Sequence, residues 1–182
     1  MAIKTFTTGE VLTASDTNTY LANSGLVYVT STTIGSAVSS VTVSNCFSST
    51  YDNYRILVNG GSASADQNLA MTLNGGTTAY YGVLVYGLTN GTGPFVASNN
   101  NAAEWSFVGY QNTTSGIILT MDVMGPNLAE WTGVHSTYIS PGGGGTYTGS
   151  RQATTQHTGF TLTPAGGTMT GGTITVYGYR KA

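Results

Sequence analysis

The stretch Thr173-Ile174-Thr175-Val176-Tyr177-Gly178-Tyr179, TITVYGY, alternates with a period of two. Ile174, Val176 and Gly178 fall on one side, and Thr175, Tyr177 and Tyr179 on the other. Successive side chains of a strand point to opposite faces, so this spacing predicts a strand with one buried and one wetter face. Working back toward the N-terminus, similar runs occur at LVYVT (26–30), SVTV (40–43), YRILVN (54–59), NLAMTL (68–73) and AYYGVLVYGL (79–88). EWSFVGY (104–110), GIILTMDVM (116–124), WTGVHSTYI (131–139) and FTLT (160–163) follow, and the closing strand is bounded as GTITVYGYR (172–180). None is followed by a helical period, which argues against a parallel βαβ fold. Short strands at fairly even spacing predict an all-β, antiparallel β-sandwich of jelly-roll type.

Turn chemistry agrees. Asn59-Gly60, Asn74-Gly75 and Asn90-Gly91 read as hairpin turns. GTGPFVASNNNAA (91–103) and SPGGGGTYTGSRQ (140–152) read as surface loops, the second with four consecutive glycines. Only 7% of the 182 residues are charged, so Thr, Ser, Gly and Asn supply the polarity. With 12 Tyr and 26 Gly the composition is that of a strand-and-turn protein rather than a disordered one.

The segment before the first strand differs. In GEVLTASDTNTYLAN (9–23), Thr13 and Asp16 have the spacing of a helix N-terminus, and Asn23-Ser24-Gly25 offers a stop. Ala14, Thr17 and Leu21, with Leu12 and Tyr20 beside them, give this short helix a thin apolar stripe. A helix of about ten residues is marginal alone in water and needs a docking partner. The chain therefore divides into an N-terminal attachment segment with a short helix, 1–25, and a single β-sandwich domain, 26–182.

A net charge of −2 with five scattered basic residues gives no footprint for nucleic acid. No apolar run suggests a signal peptide or a membrane-inserted span, so synthesis in a cytoplasm is expected. Cys46 is the only cysteine and reads as a small buried hydrophobe beside Phe47. Asn90-Gly91-Thr92 and Asn112-Thr113-Thr114 match a glycosylation sequon but read as plain turns. Catalytic and nucleotide-binding motifs are absent. Glu104, Asp122 and Glu130 are the acids a glycosidase pair would draw on, yet each is expected to be a solvated acid at or near a strand end. His135 and His157 are far apart and lack acidic neighbours in sequence, so no metal and no cofactor is expected. Most tyrosines read as half-buried strand residues, with Tyr147, beside the glycine run, as the first candidate ligand or partner contact. Phe95 in the other loop is the second, and His157 a third, exposed one.

TFTTGEVLTASDTNTYL (5–21) resembles the opening segment of many small virion proteins of tailed bacteriophages, often labelled tail-fibre or minor tail proteins. YDNYRILVNG (51–60) and GGTITVYGYRKA (171–182) resemble an internal and the last strand of the same group. The resemblance implies a non-enzymatic virion component with a β-sandwich body, commonly trimeric, and supplies no catalytic residues. It places the chain first in the tail-fibre or adsorption apparatus, where Tyr- and Asn-rich loops could meet a host surface glycan. Head decoration of the capsid is the alternative, and a small polysaccharide-degrading enzyme a third reading. Other virion proteins would then be partners, reached through Leu12, Ala14, Thr17, Tyr20 and Leu21.

Overall fold

In the computed structural model, residues 7–17 and 25–181 are described. Fourteen strands and one short helix are found among them. They are α1 (Ala14–Asp16), β1 (Leu26–Thr33), β2 (Val41–Val43), β3 (Asn53–Gly60), β4 (Ser62–Ala63), β5 (Gln67–Leu73), β6 (Tyr80–Leu88) and β7 (Phe95–Ala102). β8 (Trp105–Asn112), β9 (Gly116–Met124), β10 (Thr132–Ser140), β11 (Gly143–Arg151), β12 (Phe160–Pro164), β13 (Met169–Thr170) and β14 (Thr173–Tyr179) complete the chain.

Twelve of the strands form two antiparallel layers, and β4 pairs with β13 in a separate two-stranded sheet. One layer has the order β1-β14-β3-β9-β10-β11-β6-β7, the other β2-β12-β5-β8. β8 and β9 are paired only beside their turn, at Gln111–Ile117 and Asn112–Gly116, and then diverge into opposite layers. Counting β2, β3, β5, β6, β7, β8, β9 and β12 in chain order, the small layer takes the first, eighth, third and sixth. The large layer takes the second, seventh, fourth and fifth, with the β10–β11 hairpin interposed between seventh and fourth. This double Greek key is the jelly-roll connection, widened by one hairpin and by β14 and β1 on the β3 side.

Alternation explains why the layers close. In β14, Ile174, Val176 and Gly178 face inward, in register with Val58, Ile56 and Tyr54 of β3. Those three in turn meet Leu119, Met121 and Val123 of β9. Gly178 has no side chain because the Tyr51 ring occupies the space a Cβ would need. From the small layer come Val41, Val43, Leu69, Met71, Trp105, Phe160 and Leu162, all buried. Phe47, between β2 and β3, stacks on Phe160 at 5.7 Å and tilts on Tyr54 at 4.8 Å, joining the two layers. Trp105 meets Tyr80 edge-on at 5.0 Å and donates its indole N–H to the Ser150 carbonyl at 3.3 Å. The Ser136 hydroxyl donates to the Val108 carbonyl across the same gap at 2.6 Å. Cys46 is buried beside Phe47, and burial pushes its thiol up to about 12, so it is an inert hydrophobe.

Several local expectations change. The segments 91–103 and 140–152 are mostly strand, as β7 and β11, not loops. Asn90-Gly91 does turn the β6–β7 hairpin. Asn59-Gly60 and Asn74-Gly75 do not make hairpins, because β3 pairs with β14 and β9, and β5 with β12 and β8. Both sequons are turns: the Asn90 side chain accepts from Thr92 N–H at 3.0 Å, and that of Asn112 from Thr114 N–H at 2.8 Å.

Candidate functional site

A cleft of about 320 Å³ opens between the two layers at one end of the sandwich. Tyr86 of β6, Phe107 and Tyr110 of β8, and Tyr138 of β10 supply its aromatic walls. Asp66, just before β5, and Asn68 within it add polar groups. Gly142, Gly143 and Gly144 line the remaining side, so the glycine run is where the wall is thinnest. The closeness of the packing explains the glycine that follows. A Cβ on Gly145 would lie 2.8 Å from Tyr86 Cβ and 3.0 Å from Tyr138 Cε1, so only glycine lets both rings reach the cleft.

Within it, Tyr110 and Tyr138 stack at 5.9 Å, and Tyr86 lies against Phe95 at 5.2 Å. Burial, reinforced by the neighbouring Tyr86 and Tyr110 phenols, pushes Tyr138 up to about 12. Burial and the Asp66 carboxylate also raise Tyr110. These phenols remain neutral hydrogen-bond donors through the physiological range. Asp66 accepts the Thr113 N–H at 2.7 Å and, among the described residues, is the only carboxylate lining the cleft.

Hydroxyl partnering separates these tyrosines from those of the core. Tyr54 donates to the Ser48 carbonyl at 2.9 Å, Tyr80 accepts from Leu73 N–H at 2.8 Å, and Tyr147 donates to Asn99 Oδ1 at 2.8 Å. The hydroxyls of Tyr86, Tyr110 and Tyr138 have no partner among the described residues. None of the three is among the buried unpartnered atoms, so these hydroxyls open to the solvent of the cleft.

Two expected contact residues are therefore corrected. Tyr147 is fully buried: as an inward residue of β11 its ring fills the space over Gly82, and burial raises its phenol strongly. His157 is also buried, not exposed. Its Nδ1–H donates to the Asn74 carbonyl at 2.6 Å, and its Nε2 accepts from Arg151 Nη1 at 2.8 Å. Only this tautomer fits, since a carbonyl cannot donate and a guanidinium cannot accept. Phe95 is at the surface, 36% exposed, but it begins β7 and packs on Tyr86.

Burial, with Arg151 adding repulsion, lowers the His157 pKa despite the Asn74 bond. The unfolded chain then takes up a proton that the native one excludes, so His157 stabilises fully above its ordinary pKa of about 6.5 and progressively less as pH falls below it. Thermal melting between about pH 7.5 and about pH 5 should show a falling midpoint that His157→Gln flattens. An equally steep fall in the variant would remove His157 as the cause.

Asp122 is not a solvated strand-end acid either. It lies within β9 on the outer face, where Arg55 Nε and Nη2 reach its two oxygens at 2.9 and 2.8 Å and the Tyr179 hydroxyl donates at 2.7 Å. Its pKa is lowered: burial opposes the shift, and the Arg55 and Tyr179 hydrogen bonds outweigh it. His135 is its cross-strand neighbour, which the sequence separation hid. Glu130 is exposed in the β9–β10 connection, and Glu104 half-buried before β8. No cluster of three or more metal-ligating side chains occurs among the described residues.

In the N-terminal segment, the Thr13 hydroxyl accepts from Asp16 N–H at 3.1 Å, and the Asp16 carboxylate accepts from Thr13 N–H at 3.1 Å. The capping box is complete. Val11 is 80% and Leu12 49% exposed; Ala14 is exposed and Thr17 half-exposed. Tyr20 and Leu21 lie outside the described residues. Compared with known proteins, the chain matches no protein-family model, and no match is found among curated proteins.

Proposed function

We propose that the chain is a non-enzymatic structural component of a tailed-phage particle, docked through residues 1–25 with its β domain facing outward, in the tail-fibre or adsorption apparatus. The observation that supports this reading is the exposure of the described part of the N-terminal segment, residues 7–17. It is capped by its own residues, none of its described helical residues is buried, and it presents Val11 and Leu12 outward. Among the described residues, none from 7–17 belongs to the core of the sandwich. The resemblance of 5–21 to phage attachment segments gives that free apolar surface a partner. A lone carboxylate in the cleft, already bonded to Thr113 N–H, favours binding over glycoside hydrolysis, which needs a pair.

The same reading includes a homotrimer. On the outer face of the large layer one cross-strand row runs Val96, Val85, Thr146, Thr137, Thr120, Leu57, Thr175 and Ser31. It crosses all eight strands without a charge, and an uncharged row can meet its own copy without like-charge repulsion, while the Arg55–Asp122 pair on the same face is already neutralised within the chain. Sedimentation equilibrium should return about three times the 18.8 kDa chain mass. A monomer at micromolar concentration would count against the trimer. Antibody labelling of whole particles tests the location: label on the tail supports the adsorption reading, and label on capsid faces would replace it with head decoration.

A further inference from the structure

We propose that the cleft between β5, β6, β8 and β10 is a saccharide-binding site selective for uncharged pyranose units. The inference deepens the adsorption reading and rests on it only for the source of the sugar. Its basis is the chemistry of the walls. A pyranose ring has an apolar face of C–H groups and a rim of hydroxyls, so it needs flat aromatic surface and hydrogen-bonding groups in the same small space. The cleft brings both together. Tyr86, Phe107 and Tyr110 are half-buried, each leaving part of its ring open, the first from β6 and the other two from β8. The phenols of Tyr86, Tyr110 and Tyr138 can each donate or accept, and none is used by a described residue.

Size and charge narrow the ligand. A volume of about 320 Å³ is at the small end for ligand pockets, which suits one or two sugar rings rather than a long chain laid inside. Asp66 places a carboxylate at the cleft, and among the described residues no basic one lines it. An acidic sugar would meet a like charge with no compensating cation, whereas a neutral hydroxyl can donate to the carboxylate oxygen that Thr113 does not use. The glycine wall adds no side chains that must be ordered on binding.

The test uses the full chain on an array of glucose, galactose and N-acetylglucosamine di- and trisaccharides, alongside galacturonate and sialic-acid oligomers, with affinities from ligand-observed NMR. Binding of at least one neutral sugar at about millimolar Kd or better is expected, and the acidic oligomers should bind at least about tenfold more weakly. Tyr110→Ala should weaken the neutral sugar by about tenfold, and Tyr110→Phe, which keeps the ring, by less. Circular dichroism of each variant confirms its fold. No binding by any neutral sugar, preferred binding of acidic ones, or unchanged affinity in folded Tyr110→Ala would overturn the assignment. Because particle incorporation is measured separately, failure of the cleft and failure of the virion reading are distinguishable.

Discussion

Trp105→Ala is expected to cost the sandwich about 3–5 kcal/mol, a large share of the roughly 5–15 kcal/mol that stabilises an ordinary domain. Trp105 is fully buried, and it touches both layers. Truncation removes a large apolar side chain, leaves a cavity between β8 and β11, and removes the indole hydrogen bond to the Ser150 carbonyl. The edge-on contact with Tyr80 is lost as well, and Tyr80 is the ring over which the Arg151 guanidinium lies at 5.6 Å. Damage should therefore spread to the Arg151–His157 pair. Trp105→Phe keeps an aromatic ring and should cost less. Urea denaturation of the three chains checks this, with the midpoint order wild type, Phe, Ala. A loss under about 1 kcal/mol for Ala would mean that the layers are not held together at Trp105.

The strands with a period of two were legible: all ten segments read from the sequence are strands in the structure. β7 and β11 were not, for different reasons. FVASNNNA carries its pairing on Asn and Ser, residues that usually mark turns, so nothing apolar repeats. In β11 the inward positions are Gly143, Gly145, Tyr147 and Gly149, so the alternation is present but written in glycine. A Cβ at Gly149 would lie 2.9 Å from Tyr147 Cε1 and 3.0 Å from Trp105 Nε1. Those glycines record close approach, which a hydrophobicity pattern cannot show. The burial of Tyr147 follows from the same misreading.

The cleft was less legible still. Its aromatic residues were identified only as strand tyrosines, because residues 86, 110 and 138 meet through a topology that local periodicity does not contain. Asp66 drew no attention among seven acids. By contrast, the Thr13–Asp16 cap was readable because it is a local, reciprocal bond between residues three apart.

Deletion of residues 1–25 is expected to leave a folded β domain that no longer joins the particle. β1 begins at Leu26, and among the described residues the buried core contains none before Ile34. What is removed includes the capped turn and exposed Val11 and Leu12, a surface worth a few kcal/mol at about 25 cal/mol per Å² when docked. In a trimer three such segments would act together, so their loss should abolish incorporation rather than reduce it slightly. Tyr20→Ala with Leu21→Ala should weaken incorporation in the same direction. The deciding measurement is recovery of the truncated chain in purified particles, with circular dichroism and a melting curve on the same protein. A retained β signal with a cooperative melt and no recovery in particles is the expected result; normal incorporation of the truncated chain would contradict it.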